Sequence, residues 1–307
     1  MVSVIIPAFN EENMVVMAAE EISRRLLAYE IPFELIFVDD GSTDGTWEKL
    51  ETLSRQFSYV RGVHFSRNFG KEAAIFAGLE YSKGDCCVVI DCDLQHPPDK
   101  IVEMYRLWQE GYEVIEGVKS SRGEETKLHG MAAGCFYGLL SRAIHIDMSQ
   151  ASDFKLLDRK AVTVLLNMKE KHAFFRALSS WIGFRTATVE FDVQERAAGT
   201  SKWSTWALVK YAMTNISSFS TAPMQVVTIL GAVMLVVSMV LGGIALVQKF
   251  QGVALGGFTT VIIIQLFTGS IIMISLGIIG YYIAKIYEEI KGRPRYIISK
   301  ECGRKEE

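Results

Sequence analysis

Two long stretches without charge do most to limit what this chain can become. Residues 226–247 hold no Asp, Glu, Lys or Arg, and residues 258–284 hold none either. Each is long enough to cross a hydrocarbon layer of about 30 Å as a helix. Two buried helices of a large soluble core are the competing reading, and the lengths argue against it. The link between them, 248–257, is short, so the pair is expected to form a helical hairpin. Basic residues gather after the second stretch: Lys285, Lys291, Arg293, Arg295, Lys300, Arg304 and Lys305. Lys202 and Lys210 precede the first, and only Lys249 lies in the link. The excess of positive charge on one side places both chain ends in the cytosol. The start, Met1-Val2-Ser3-Val4-Ile5-Ile6-Pro7, has no basic region and too short an apolar run for a signal peptide.

Ahead of the hairpin the chain reads as an α/β domain. Apolar runs at 2–7, 33–38, 60–65 and 86–90 have the composition of buried strands. Between them, 14–29, 46–57 and the Ala-rich segment to Tyr81 carry helical spacing of apolar residues. This alternation predicts a mostly parallel sheet with helices on both faces. A helix over 101–110 and a strand over 112–117 follow. Further on, 131–144 reads as an apolar helix, 174–185 as a helix with Trp181 in the core, and 188–193 as a strand. The net charge of −3 gives no sign of a nucleic-acid partner. The five cysteines form no Cys-x-x-Cys pair, which fits reduced thiols better than a disulfide or zinc framework.

Chemistry is concentrated where strands end. Val88-Val89-Ile90 runs straight into Asp91-Cys92-Asp93-Leu94-Gln95, and Pro97-Pro98 forces the chain to turn. Two carboxylates and an amide oxygen at alternate positions suit a hard cation, Mg²⁺ or Mn²⁺, which often also holds a substrate's phosphates. The loops 7–12 and 39–44 also follow strands and should open on the same edge of the sheet. Five or more carboxylates on one rim need cations or hydrogen-bond donors to coexist. The first strand is not followed by Gly-x-Gly-x-x-Gly, and no Walker loop occurs. Phosphates would therefore be met through a metal and basic side chains.

Ile5-Ile6-Pro7-Ala8-Phe9-Asn10-Glu11-Glu12, Val38-Asp39-Asp40-Gly41-Ser42-Thr43-Asp44 and Asp91-Cys92-Asp93-Leu94-Gln95 resemble the signature loops of family 2 glycosyltransferases of the GT-A fold. Ser66-Arg67-Asn68-Phe69-Gly70-Lys71-Glu72 narrows the resemblance to the bactoprenol glucosyltransferase branch, related to dolichol-phosphate mannose synthase. The similarity extends over nearly the whole chain. It implies that Pro7, Phe9, Glu11, Val38 and Asp40 hold the nucleoside. Asp91, Cys92 and Asp93 would flank the donor diphosphate, with Asp93 and Gln95 on the metal. Lys119 stands where arginine is frequent and would meet donor phosphate, keeping charge without the bidentate fork. Glu195-Arg196-Ala197-Ala198-Gly199-Thr200-Ser201-Lys202 resembles the family's loop over the diphosphate, with Arg196 and Lys202 closing on it. Ser149 to Arg159 resembles the acceptor-side motif, in which Asp153 matches the proposed base. Lys155, with Arg122 from the basic loop after Lys119, would meet the acceptor phosphate. A lipid monophosphate is already largely ionised near neutral pH, its second pKa being about 6. That leaves Asp153 two roles, taking a proton or orienting the acceptor.

The expected organisation is a cytosolic GT-A catalytic domain at 1–202 and amphipathic membrane-interface helices at 203–225. Transmembrane helices at 226–248 and 258–284 and a basic cytosolic tail at 285–307 complete it. Trp203, Trp206 and Tyr211 beside Lys210 suit the bilayer interface. The implied activity is inverting transfer of one hexose, glucose from UDP-glucose, to undecaprenyl phosphate at the cytosolic membrane face. The alternatives are UDP-GlcNAc or GDP-mannose as donor, or a membrane scaffold that binds nucleotide sugar without turnover. A processive synthase would carry Gln-x-x-Arg-Trp, which does not occur in this chain. The resemblance also implies a later flippase for the product, and the glycine-bearing spans permit a homo-oligomer.

Overall fold

The computed structural model describes residues 1–120, 152–168, 170, 174–192, 222–251 and 257–303. The expected helix at 131–144, residues 203–221 of the expected interface helices, and the loops carrying Arg122, Arg196 and Lys202 lie outside the described residues. The chain divides into two compact units, Met1–Ala212 with Pro294–Glu307, and Met213–Arg293.

The first unit is built on one eight-stranded sheet. Its strands are β1 (Val2–Ala8), β2 (Phe33–Asp39), β3 (Val60–Phe65), β4 (Cys86–Val89), β5 (Val114–Lys119), β6 (Lys155–Asp158), β7 (Thr186–Phe191) and β8 (Ile298–Cys302). Their order across the sheet is β7-β5-β6-β4-β1-β2-β3-β8. The central strands β4, β1, β2 and β3 are all parallel, as the alternation predicts. Helices α1 (Val15–Ala28), α2 (Thr46–Gln56), α3 (Lys71–Tyr81) and α4 (Asp99–Gln109) connect and cover them. In α1 the buried residues are Val15, Ala18, Ala19, Ile22, Ser23 and Leu26, one stripe at helical spacing. In α3 every residue from Ala74 to Leu79 is buried, because that helix packs on β1 and β2. Fully buried Phe37, Ile5 and Ile6 each contribute about 1.5–3 kcal/mol of apolar burial.

Two further short helices of this unit lie among the described residues, α5 (Arg159–Asn167) and α6 (Phe175–Trp181). The helix expected over 174–185 ends at Trp181, and the strand expected over 188–193 runs Thr186–Phe191. Trp181 is not in the core. It lies at the helix end, 58% exposed.

β6 is antiparallel to β4 and to β5, with Val89 opposite Lys155 and Glu116 opposite Lys155. This reversed strand begins at the edge where β4 and β5 finish. Asp153, just before β6, is thereby brought beside Asp91, just after β4. Gly117 in β5 allows the approach: a Cβ there would sit 2.5 Å from the Phe154 ring.

The tail beyond the hairpin differs from a simple basic extension. Residues 298–302 form β8, an antiparallel edge strand on β3, with Gly62 opposite Cys302 and Phe65 opposite Ile298. Tyr296 stacks on Phe65 with ring centroids 5.0 Å apart and donates its hydroxyl hydrogen to Glu80. Arg295 places its guanidinium 4.5 Å from the Phe76 ring centroid and donates to the Met168 carbonyl. These partners are far away in sequence, so pairing with β3, not local propensity, makes this polar segment a strand.

The described residues of the second unit form two helices, α7 (Ala222–Phe250) and α8 (Phe258–Ile290). Each contains a segment long and apolar enough to cross a membrane, Val227–Ile244 and Ile264–Ile290. α8 continues past the expected end at 284 and takes in Lys285.

Candidate active site

Because β4, β1 and β2 run parallel, their C-terminal ends share one edge, and the loops that follow them meet there. Most of the rim's carboxylates are engaged by backbone donors. Asp39 is fully buried, accepts from Ser42 N at 2.9 Å and pairs with His64 Nδ1 at 2.8 Å. Asp40 is 3% exposed and accepts from Phe69 N at 2.6 Å and Gly70 N at 2.9 Å. Burial holds its carboxyl above the usual range, against those two hydrogen bonds. Glu12 accepts from Gly45 N, and Asp44 from Glu12 N and Thr46 N. The expected crowd of acids is thus largely a set of struts tying loop to loop. Gly41 shows how tight the joint is: its φ is +68°, and a Cβ would lie 2.4 Å from the Arg67 carbonyl carbon.

The nucleoside residues expected from the sequence fall on this edge. Pro7 and Phe9 close β1, with Phe9 45% exposed and open to stacking. Glu11 follows, its N–H donating to Thr46 Oγ1 at 3.0 Å. Val38 is fully buried, and so offers only its backbone. The Cys92 side chain is also turned inward, at 3% exposure, with its thiol pushed up by burial. Lys119 is exposed at the end of β5. The run of β5 against β6 and β6 against β4 points that end to the same edge as Asp91.

The Asp91–Gln95 loop turns through Leu94, whose φ is +56°, an uncommon conformation for a residue with a side chain. The turn is held by Gln95 N donating to Asp93 Oδ1 at 3.1 Å. Strain of this kind tends to collect at functional sites. Beneath the loop His96 is 8% exposed, stacked on Phe154 at 5.0 Å and edge-on to Phe191 at 5.2 Å. Its Nδ1 is buried and has no hydrogen-bond partner among the described residues, and burial lowers its pKa.

Beside this loop lies a cluster the sequence did not disclose. Lys71, at the start of α3, places Nζ 2.6 Å from Asp91 Oδ1 and 2.8 Å from Asp153 Oδ2. Arg176, on α6, holds Asp153 in a fork, Nε to Oδ1 at 2.7 Å and Nη2 to Oδ2 at 2.8 Å. Asp153 is 5% exposed. Against the penalty of burial, Lys71 and Arg176 hold its carboxyl far below the usual carboxylate range. Ser152 fixes its backbone by donating to the Gly117 carbonyl at 2.6 Å.

Glu72 supports the same cluster. Its Oε2 accepts from Phe175 N at 2.8 Å, holding the first turn of α6. Burial, then the charge of Asp153, pushes its pKa from 4.5 up to about 7. A carboxyl that binds its proton more tightly folded than unfolded favours the fold when protonated. That contribution declines as pH climbs from about 4.5 to about 7. Glu72→Gln keeps an acceptor for Phe175 N and cannot ionise. It is expected to gain on the order of 1–2 kcal/mol over wild type between pH 5 and pH 8. Thermal melts at the two pH values measure this; a difference that does not change with pH contradicts it.

Lys155 does not take the role expected for it. It is fully buried, its ammonium paired with Glu116 and hydrogen-bonded to Ser179 Oγ at 2.8 Å and Ser180 Oγ at 3.3 Å. It lies two residues further into the sheet than Asp153, and its side chain is covered by α6 and β5 and does not reach the open edge. Burial lowers its pKa against the pull of Glu116. It joins β6, β5 and α6 from inside.

The sheet, the edge loops and the Asp-x-Asp turn define a GT-A glycosyltransferase domain. The chain belongs to glycosyl transferase family 2, whose profile matches residues 3–163. An uncharacterized glycosyltransferase of Synechocystis is 36% identical over 97% of this chain and 94% of its own length. A prophage-derived bactoprenol glucosyl transferase of Shigella flexneri is 34% identical over 97% of both chains. Among solved structures, glucosyl-3-phosphoglycerate synthase from Mycobacterium tuberculosis, crystallised with Mn²⁺, UDP and phosphoglyceric acid, shares the fold. Its TM-score is 0.50 at 20% identity, covering 71% of this chain and 78% of that one.

Proposed function

We propose that this chain transfers one hexose from a nucleotide sugar to a polyprenyl phosphate at the cytosolic membrane face, with UDP-glucose as donor. The observation that carries the reading is the strained Asp91–Gln95 loop at the C-terminal edge of the parallel strands, in a chain that also holds two membrane-length helices. Full-length similarity to the bactoprenol glucosyl transferase supports the same acceptor class.

The donor set at the loop suits a divalent cation. Asp93 and Gln95 offer hard oxygens, and among the described residues no three His, Cys, Asp or Glu side chains converge. Such a site leaves room for the diphosphate and water to fill the shell, as Mg²⁺ and Mn²⁺ commonly require. When bound there, the cation would stabilise the charge on the departing diphosphate. Phe9 would stack on the base, and Lys119, with Arg196 and Lys202, would add positive charge near the phosphates. An acceptor phosphate oxygen attacks the anomeric carbon as the bond to the diphosphate oxygen breaks. Displacement from the opposite face inverts that centre.

The topology of the sheet supports the membrane arrangement. Strand β1 near the N-terminus and β8 near the C-terminus belong to one sheet, so both lie on the same side of any bilayer. The chain between them must cross an even number of times, and two membrane-length helices satisfy this. The basic residues flanking them favour the cytosolic side.

Full-length protein in detergent, given UDP-glucose, a C55 polyprenyl phosphate and Mn²⁺, is expected to release UDP and form a lipid-linked hexose. Parallel reactions with UDP-GlcNAc and GDP-mannose test the donor. Binding of donor without product from any of the three supports a scaffold and overturns the reading.

A further inference from the structure

We infer that Lys71 and Arg176 receive the phosphate of the acceptor lipid, and that Asp153 is the positioning residue which sets them there rather than the group that takes a proton. This rests on the polyprenyl-phosphate reading above.

The geometry of Asp153 is that of a buried anchor. Its two oxygens already accept three charged hydrogen bonds, from Arg176 Nε, Arg176 Nη2 and Lys71 Nζ. Only 6% of its side chain is exposed. The two cations keep far more surface, 41% of the Lys71 side chain and 28% of that of Arg176. An arriving anion therefore meets ammonium and guanidinium before it meets carboxylate. A planar guanidinium suits phosphate oxygens as well as carboxylate.

Position supports this. Lys71 Nζ touches both Asp91, on the donor side, and Asp153. The attacking oxygen must lie between the donor and whatever holds the acceptor. The Lys71 ammonium occupies that boundary. Three fixtures hold the pair: the tie from Ser152 to Gly117, the bond from Phe175 N to Glu72, and the packing of Phe76 against Phe175 at 6.4 Å.

The step balances without a protein base. Near neutral pH the acceptor monophosphate is mostly a dianion, its second pKa being about 6. One of its oxygens forms the bond to the anomeric carbon. The pair from the broken bond leaves on the nucleoside diphosphate. The product is a phosphodiester and no proton is transferred. Two cations at the acceptor offset charge repulsion between the dianion and the donor's diphosphate.

The test uses full-length protein in detergent with UDP-glucose, Mn²⁺ and C55 polyprenyl phosphate, varying each substrate. Arg176→Gln and Lys71→Gln are expected to raise acceptor KM about 10-fold or more, as loss of a charge-assisted hydrogen bond predicts. For Arg176→Gln, donor KM should stay within about 3-fold of wild type, and Arg176→Lys should recover part of the loss. Asp153→Asn should also raise acceptor KM while the rate keeps an acid limb near pH 6, set by the acceptor itself. A collapse of kcat in Asp153→Asn with unchanged acceptor KM and loss of that limb overturns the inference. So does an unchanged acceptor KM in Arg176→Gln. If Arg176→Gln does not fold, Arg176→Lys decides alone, and an unchanged acceptor KM there counts against the inference. A wild-type protein inactive with every donor fails the functional reading instead, which keeps the two outcomes apart.

Discussion

Asp93→Ala is expected to lose about three orders of magnitude or more in kcat/KM while leaving the fold intact. The loop carries little of the core, since Asp93 is only partly buried and accepts from Gln95 N within the same turn. What it offers is a carboxylate for a divalent cation. Removing several kcal/mol of charge stabilisation from the departing diphosphate corresponds to that loss of rate. Initial rates across a Mn²⁺ titration, beside a circular-dichroism melt, measure both halves. Turnover near wild type at saturating donor would remove the metal from the reading. Asp91 is a less clean probe, because losing it also strips Lys71 of a partner at 2.6 Å.

The second large effect is on stability. Lys155→Ala leaves Glu116, only 15% exposed, without its buried partner. Breaking such a pair costs about 3–5 kcal/mol, mostly the penalty of an uncompensated charge. The double variant Lys155→Met with Glu116→Leu should regain most of that loss, because neither charge remains to be solvated. Denaturant melts of wild type, Lys155→Met, Glu116→Leu and the double variant close the cycle. A mild effect from Lys155→Ala, joined to a large rise in acceptor KM, would return Lys155 to the acceptor site.

That misassignment shows where sequence reading stops. The central strands were legible because β-branched runs such as Val88-Val89-Ile90 end in polar loops, and burial on both faces demands such runs. Their parallel order placed the Asp91 loop and the loops after β1 and β2 on one edge without further information. β6 was not legible. Lys155-Leu156-Leu157-Asp158 is four residues long with a charge at each end, and lysine is rarely fully buried. Its cross-strand neighbour Glu116, with Ser179 and Ser180 from α6, makes Lys155 an interior residue. Trp181 misled in the opposite direction, since a large aromatic residue is usually mostly buried. Arg176 had no local signal at all: its meaning comes from Asp153, 23 residues away on another element. Lys71 stood within a quoted motif, yet its partner Asp153 lies 82 residues further on. A salt-bridged cluster assembled from three elements leaves no periodic trace.

Strand β8 bears on how the protein is made. Synthesis delivers β3 early, and domains generally begin to fold while the chain is still emerging. Among the described residues its outer edge pairs with 298–302 alone. Both apolar helices must leave the ribosome before those residues appear. Until then Phe65 lacks the Tyr296 ring, and a row of backbone groups stays open to mispairing. A nascent chain interrupted within the hairpin would thus retain the loops that follow β1, β2 and β4 while the outer edge of β3 still lacks its antiparallel neighbour.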